Sequence, residues 1–224
     1  MAILGILLGL LPGFAWLFFY LQEDLHPEPK SLIALTFLTG MASALFVLPI
    51  QIYLNDQFGN MGILPFSIFA ITAFAFVEEL FKFGAAYLCV RKNPAFDEPV
   101  DAMIYMIVAA LGFATVENVG AVGSHGSQTA LVSDIFELAS LRFIGATLLH
   151  SLTAGAIGYF WALSIRDFGM KRLIAYGLAL ATLLHVAFNY LILSYGSTMY
   201  AAVFLLLIGF FVLHDFEMLK KKTI

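Results

Sequence analysis

The sequence predicts an all-α fold, a polytopic membrane protein built as a bundle of about seven transmembrane helices, and three observations carry that reading. Hydrophobic residues make up 62% of the 224 and charged residues only 12%, with a mean hydropathy of +0.94. That is more apolar surface than a water-soluble domain can hide. Seven stretches reach the roughly 20 apolar residues that a helix needs to cross the hydrocarbon core. The connections between them are short, so residues 1–224 are expected to form a single transmembrane helical domain bathed by the lipid bilayer.

Taken in order, and bounded by charge, Pro or Gly clusters, the spans lie near residues 2–21, 31–54, 62–90, 102–122, 141–163, 173–194 and 198–214. The first lacks the basic start and small-residue cleavage site of a signal peptide and runs into Glu23 and Asp24, so it is expected to be retained. The third is the polar one, with Glu78, Glu79 and Lys82 in its middle. Between the fourth and fifth, Gly123 to Ser140 is the longest outer connection; Asp134 and Glu137 among Leu131, Ile135, Phe136 and Leu138 have helical spacing in its second half, which predicts an interfacial helix.

Lys and Arg are retained on the cytoplasmic side of a membrane. Lys30, Arg91, Lys92, Arg166, Lys171, Arg172, Lys220, Lys221 and Lys222 all fall on one side, against Arg142 on the other. The N-terminus is therefore expected outside and the C-terminus in the cytoplasm.

A single cysteine, Cys89, excludes an internal disulfide and any cysteine-rich metal site. The net charge of -4 offers no basic surface, which sets nucleic acid aside as a partner.

The functional signal is the ionisable residues inside the spans. Each costs roughly 2.5–3.5 kcal/mol on insertion scales. Glu78, Glu79 and Lys82 lie in the third span, Glu117 in the fourth, His150 in the fifth and His185 in the sixth, with Asn118 and Asn189 beside them. A lone intramembrane His or Asn is more often a hydrogen-bonded packing residue, and a Glu–Lys pair can merely fix helix packing. Coincidence of depth on four helices weighs against that reading, because packing alone gives no reason to repeat the cost at one level. Lys82 follows Glu78 by four residues and Glu79 by three, so it can pair with one carboxylate and leave the other facing the bundle centre. His185 and Asn189 share a face. Small residues flank the sites, Gly84 to Ala86, Ala109, Ala110, Gly112 and Ala114, and Ala154 to Gly158 among them, so the helices are expected to pack closely there.

Two His and carboxylates without Cys suit Zn²⁺, held by three protein groups with a fourth position for water. Glu117, His150 and His185 are the expected ligands, with Glu79 or Glu78 as general base. A metal-free scheme fits the same residues: a desolvated glutamate and a His activate water, while a second His and an Asn stabilise the oxyanion. Nucleophile arrangements fare poorly, since Ser151 points about 100° away from His150 on a helix and Cys89 lies near the other end of its span.

These residues resemble the PrsW family of intramembrane proteases, within the wider group that includes the CAAX prenyl endopeptidases. Its E-E-x-x-K motif matches Glu78, Glu79 and Lys82, and its F-x-x-x-E-N motif matches Phe113, Glu117 and Asn118, preceded by the Asp97 to Asp101 run, Tyr105 and Gly112. His150 with Gly158, and His185 with Asn189, match its later His positions, and Asp24 with Glu28-Pro29 resembles its first loop. Where the wider group has F-x-x-x-H, this chain has Glu117 in the His place. The resemblance implies cleavage of a membrane-anchored protein near the outer face of a prokaryotic plasma membrane, as in site-one cleavage of an anti-sigma factor. A rival class is a proton- or cation-coupled transporter using the same Glu/His cluster. Against it, no inverted repeat is visible and the polar set lies at one level. A receptor or scaffold, with the cluster only holding helices together, ranks third.

Overall fold

In the computed structural model, residues 2–24, 26–126, 132–166, 170–195 and 198–220 are described. They form α1 (Ala2–Tyr20), α2 (Lys30–Asn60), α3 (Ile68–Val90), α4 (Pro99–Gly126), α5 (Val132–Arg142), α6 (Leu148–Arg166), α7 (Arg172–Tyr195) and α8 (Thr198–Lys220), with a π turn at Phe143–Thr147 between α5 and α6. No strand occurs among the described residues. Lys221 and Lys222 of the charge count, and residues 127–131 of the expected outer connection, lie outside them.

Six helical stretches are long and apolar enough to cross a membrane. The seventh long helix, α3, has 23 residues and is set apart by three charged side chains, Glu78, Glu79 and Lys82, at the point where the site is built. The outward side chains are those of a lipid-facing surface: Phe18, Leu64, Leu206, Phe210 and others are largely exposed.

α4 is the central helix. Every residue from Val100 to Thr115 is buried, and it packs against α1, α2, α3 and α6. Contact with α2 is backbone to backbone. A Cβ at Gly40 would overlap the Ala109 carbonyl, and one at Gly112 would overlap that of Phe37. Gly158 of α6 meets α4 in the same way, its virtual Cβ 2.6 Å from the Met103 Cα. Gly84 departs from the expected close packing: nothing lies within 4 Å of its virtual Cβ.

Several boundaries differ from expectation: α2 runs on to Asn60 and α8 to Lys220, past the expected ends at 54 and 214. The third span begins at Ile68, not residue 62, because Gly62 turns the chain with φ 72 and Ser67 caps the helix by accepting from the Ala70 N–H. The helical half of the Gly123 to Ser140 connection is present, but as a direct extension of the next span: α5 runs through the π turn into α6 and packs on α1 and α4. A π turn adds one residue to the helical turn and so re-aims the helix beyond it. At the opposite end of the bundle, Lys220 Nζ holds Glu23 Oε2 at 2.7 Å and so ties α8 to the end of α1. Nearby, His26 pairs with Glu98 at 2.8 Å, Tyr105 donates to Glu28, and Asp101 Oδ2 accepts the Asp97 and Glu98 N–H groups, fixing the entry to α4.

Candidate active site

The residues predicted from four spans meet. α3, crossing beside α7 and α4, brings Glu79 to the centre, fully buried, where its Oε1 accepts from Lys82 Nζ at 2.7 Å, His185 Nδ1 at 2.8 Å and Thr153 Oγ1 at 3.2 Å. Lys82, also fully buried, reaches His150 Nδ1 at 2.8 Å. An ammonium only donates, so Nδ1 accepts and the proton of the His150 ring lies on Nε2. His150 Nε2 then donates to Glu117 Oε2 at 2.8 Å. Glu117, whose side chain is 30% exposed, is the most open of these groups, and Arg142 stands 3.6 Å from the same oxygen.

Glu78 is the carboxylate that Lys82 leaves free. Its Oε1 accepts from Gln51 Nε2 of α2 at 2.8 Å. Its Oε2 is buried with no hydrogen-bond partner and faces His185 Nε2 at 3.7 Å, beyond hydrogen-bonding range. Because Glu79 takes the Nδ1 proton of His185, the Nε2 lone pair is the one turned toward Glu78. The His150 and His185 rings meet edge to face, centroids 5.3 Å apart, and Phe113 supports His150 from one side while lying 5.1 Å under the Lys82 ammonium.

Glu78, His150 and His185 each offer a ligand atom within 4.8 Å of the others. Zinc bond lengths put ligand atoms about 3.4 Å apart across a tetrahedral ion, a closure of about an ångström that side-chain rotation supplies. The unpartnered Glu78 Oε2 and the carboxylate behind His185 both suit a metal, since a ligating His commonly donates its other N–H to a carboxylate. His150 has both ring nitrogens engaged, so ligation requires it to release one partner; Lys82 keeps Glu79 in either case.

Of the supporting residues, Asn118 donates to Thr147 Oγ1 at 2.9 Å and accepts from Arg142 Nε at 2.6 Å, which anchors the π turn to α4. Asn189 does not join the cluster. It lines a cavity with Asn55, Phe66, Phe188 and others. Sequence reasoning overlooked Gln51, Thr153, Thr147 and Arg142 as site residues. Gln51 was visible as a polar residue inside an apolar span, and Thr153 as the position one turn after His150.

Similarity to known proteins bears on this geometry. The family described as PrsW family intramembrane metalloprotease matches residues 28–214. The chain belongs to that family. A Protease PrsW of Geobacillus kaustophilus is 29% identical over 191 residues, covering 83% of this chain and 78% of that protein. Its namesake in Oceanobacillus iheyensis is 25% identical over 218 residues, 96% of each, and that of Bacillus subtilis 25% identical over 193, 86% of this chain and 84% of the relative. No solved structure matches. As a PrsW family member the chain is an integral membrane hydrolase acting on protein, which selects the protease over the transporter and the scaffold.

Proposed function

We propose that this chain hydrolyses a peptide bond of a membrane-anchored protein, such as an anti-sigma factor, near the outer face of a prokaryotic plasma membrane. Residues 1–224 act as one transmembrane helical domain, with the N-terminus outside and the C-terminus cytoplasmic. The end of the bundle carrying Lys30, Arg91, Lys92, Lys171, Arg172 and Lys220 supports that orientation.

Glu78, His150 and His185 are the residues that would hold a zinc ion. This differs from the ligand set expected from the sequence, Glu117, His150 and His185 with Glu79 or Glu78 as base: Glu78 takes the place given to Glu117, and Glu117 takes the base. Bound there, zinc supplies a Lewis acid and an activated water. Glu117, partly exposed and hydrogen-bonded to His150, takes the proton of the attacking water and returns it to the leaving amine. Glu79 is a positioning residue, its Oε1 saturated by Lys82, Thr153 and His185, and it holds the His185 ring with Nε2 toward Glu78. Arg142, beside Glu117 and tied to Asn118, is the cation that would stabilise negative charge on the carbonyl oxygen.

The observation that carries this reading is the buried, unpartnered Glu78 Oε2 facing the lone pair of a carboxylate-held His185. Glu78→Gln, purified in detergent, is expected to lose both bound zinc by elemental analysis and cleavage of a co-reconstituted single-span protein. Full cleavage with undiminished zinc would refute it. Activity without zinc would move water activation to Glu117 and His150 alone.

A further inference from the structure

A cavity of about 480 Å³ opens beside the cluster, lined by Asn55, Pro65, Phe66, Ile71, Phe74, Phe188, Asn189, Ile192 and Leu193. Its volume falls within the roughly 300–1,000 Å³ of ligand pockets. Helical register fixes its place relative to the site. On α2, Asn55 follows Gln51, the partner of Glu78, by four residues; on α3, which runs the other way, Phe74 and Ile71 precede Glu78 by four and seven; on α7, Asn189 and Ile192 follow His185 by four and seven. Residues at those spacings share a helix face. Three helices therefore place the cavity one to two turns from the Glu78–His185 pair, on the side of the turn joining α2 and α3. In the proposed orientation that side is the outer one.

The lining is apolar apart from two amides, and among the described residues no side-chain hydrogen bond engages either Asn55 or Asn189. An amide carries a donor and an acceptor together, the pattern that an extended peptide main chain offers in return. A four-residue helical step rises about 6 Å and an extended chain advances about 3.3 Å per residue. A substrate lying across Glu78 in extended form therefore carries its next side chain but one to this cavity.

We infer that the cavity is the subsite for the substrate residue about two positions to the outer side of the scissile bond, taking an apolar or aromatic side chain while Asn55 and Asn189 bind its main chain. The inference rests on the proteolytic reading of the Glu/His cluster and adds the residues that select the cleavage sequence. Phe74, Phe188 and Ile192 set the size of the accepted side chain.

The test uses the full chain in proteoliposomes with a single-span protein whose cut site is first mapped by mass spectrometry. The residue two places outward is then varied through Gly, Ala, Leu, Phe and Asp. The intact enzyme is expected to prefer Leu and Phe over Gly and Asp by about tenfold or more in kcat/KM, the scale on which a hydrophobic pocket discriminates. Ile192→Trp fills the cavity and is expected to abolish the preference for Phe over Ala. Ile192→Ala enlarges it and shifts the preference toward Phe, which keeps the inference testable if the Trp variant does not fold. Asn189→Ala raises KM more than it lowers kcat. Unchanged side-chain preference in both Ile192 variants, with the intact enzyme active and Glu78→Gln inactive, overturns the subsite alone. Equal cleavage by Glu78→Gln overturns the proteolytic assignment of the cluster and the subsite with it.

Discussion

Replacing Lys82 with Met tests the electrostatic frame of the site. Lys82 is fully buried, bonded to Glu79 Oε1 at 2.7 Å and to His150 Nδ1 at 2.8 Å. Methionine keeps much of the volume and removes the charge, so Glu79 is left as a buried carboxylate whose Oε2 already has no partner. Removing one member of a buried pair costs about 3–5 kcal/mol. At about 2–4 °C per kcal/mol for a chain of this size, the loss is about 6–20 °C in melting temperature. The double variant Lys82→Met with Glu79→Gln removes both charges and keeps an oxygen to accept from His185 and Thr153, so it is expected to recover at least half of that loss. Thermal unfolding of detergent-purified protein, followed by tryptophan fluorescence, reads all four corners of the cycle. A Lys82→Met melting point within about 2 °C of the parent, or strictly additive losses in the double variant, would refute the pairing as an energetic unit.

Gln51→Leu leaves Glu78 Oε1 without its donor and, as a change behind a proposed metal ligand, is expected to weaken zinc retention about 10–100-fold in a chelator competition while the fold survives. Gly112→Leu drives a side chain into the Phe37 carbonyl of α2 and is expected to destabilise by about 1–3 kcal/mol or more in the same melting assay. At the end of the bundle that holds the Glu23–Lys220 pair, burial pushes the Asp24 carboxyl above its ordinary range, with the Glu98 charge adding and the His26 N–H opposing. A carboxyl raised on folding favours the folded state fully at low pH and loses that contribution as pH rises through its folded value, so Asp24→Asn is expected to melt higher than the parent at pH 7 and to lose that advantage by pH 4.

The spans and the polar cluster were legible because each rests on a large energy: the hydrophobic length of a crossing helix and the cost of charge in lipid. The rest depends on smaller or non-local terms. Met61, Ile63, Leu64 and Phe66 are as apolar as a span, so hydropathy extended the third crossing through them; the break comes from the backbone of Gly62 and the cap at Ser67. The π turn at Phe143–Thr147 has no signature in composition. The roles of Glu78 and Glu79 are separated by about 100° of helix rotation, and which of them takes the Thr153 and His185 donors is decided by α6 and α7, not by α3. Asn189 shares a face with His185 yet stands a full turn away, which is enough to move it from the cluster to the cavity.

The same rotation explains how α3 can exist in a bilayer at all. Three ionisable residues at mid-helix cost together about 7–10 kcal/mol on insertion scales, more than its flanking Phe and Leu residues readily offset. Pairing of Glu79 with Lys82 along the helix neutralises two of the charges before any neighbour arrives. The remaining demands, a partner for Glu78 and donors for Glu79, are met from α2 by Gln51, from α6 by Thr153 and from α7 by His185. The two glutamates of α3 are thus the groups that recruit three helices to it, and His185 serves both at once: its Nδ1 proton satisfies the positioning carboxylate, Glu79, and its Nε2 faces Glu78, the one proposed to hold the metal. A substitution at His185 should therefore lower stability and activity together, whereas one at Glu117, whose side chain is partly exposed, should separate them.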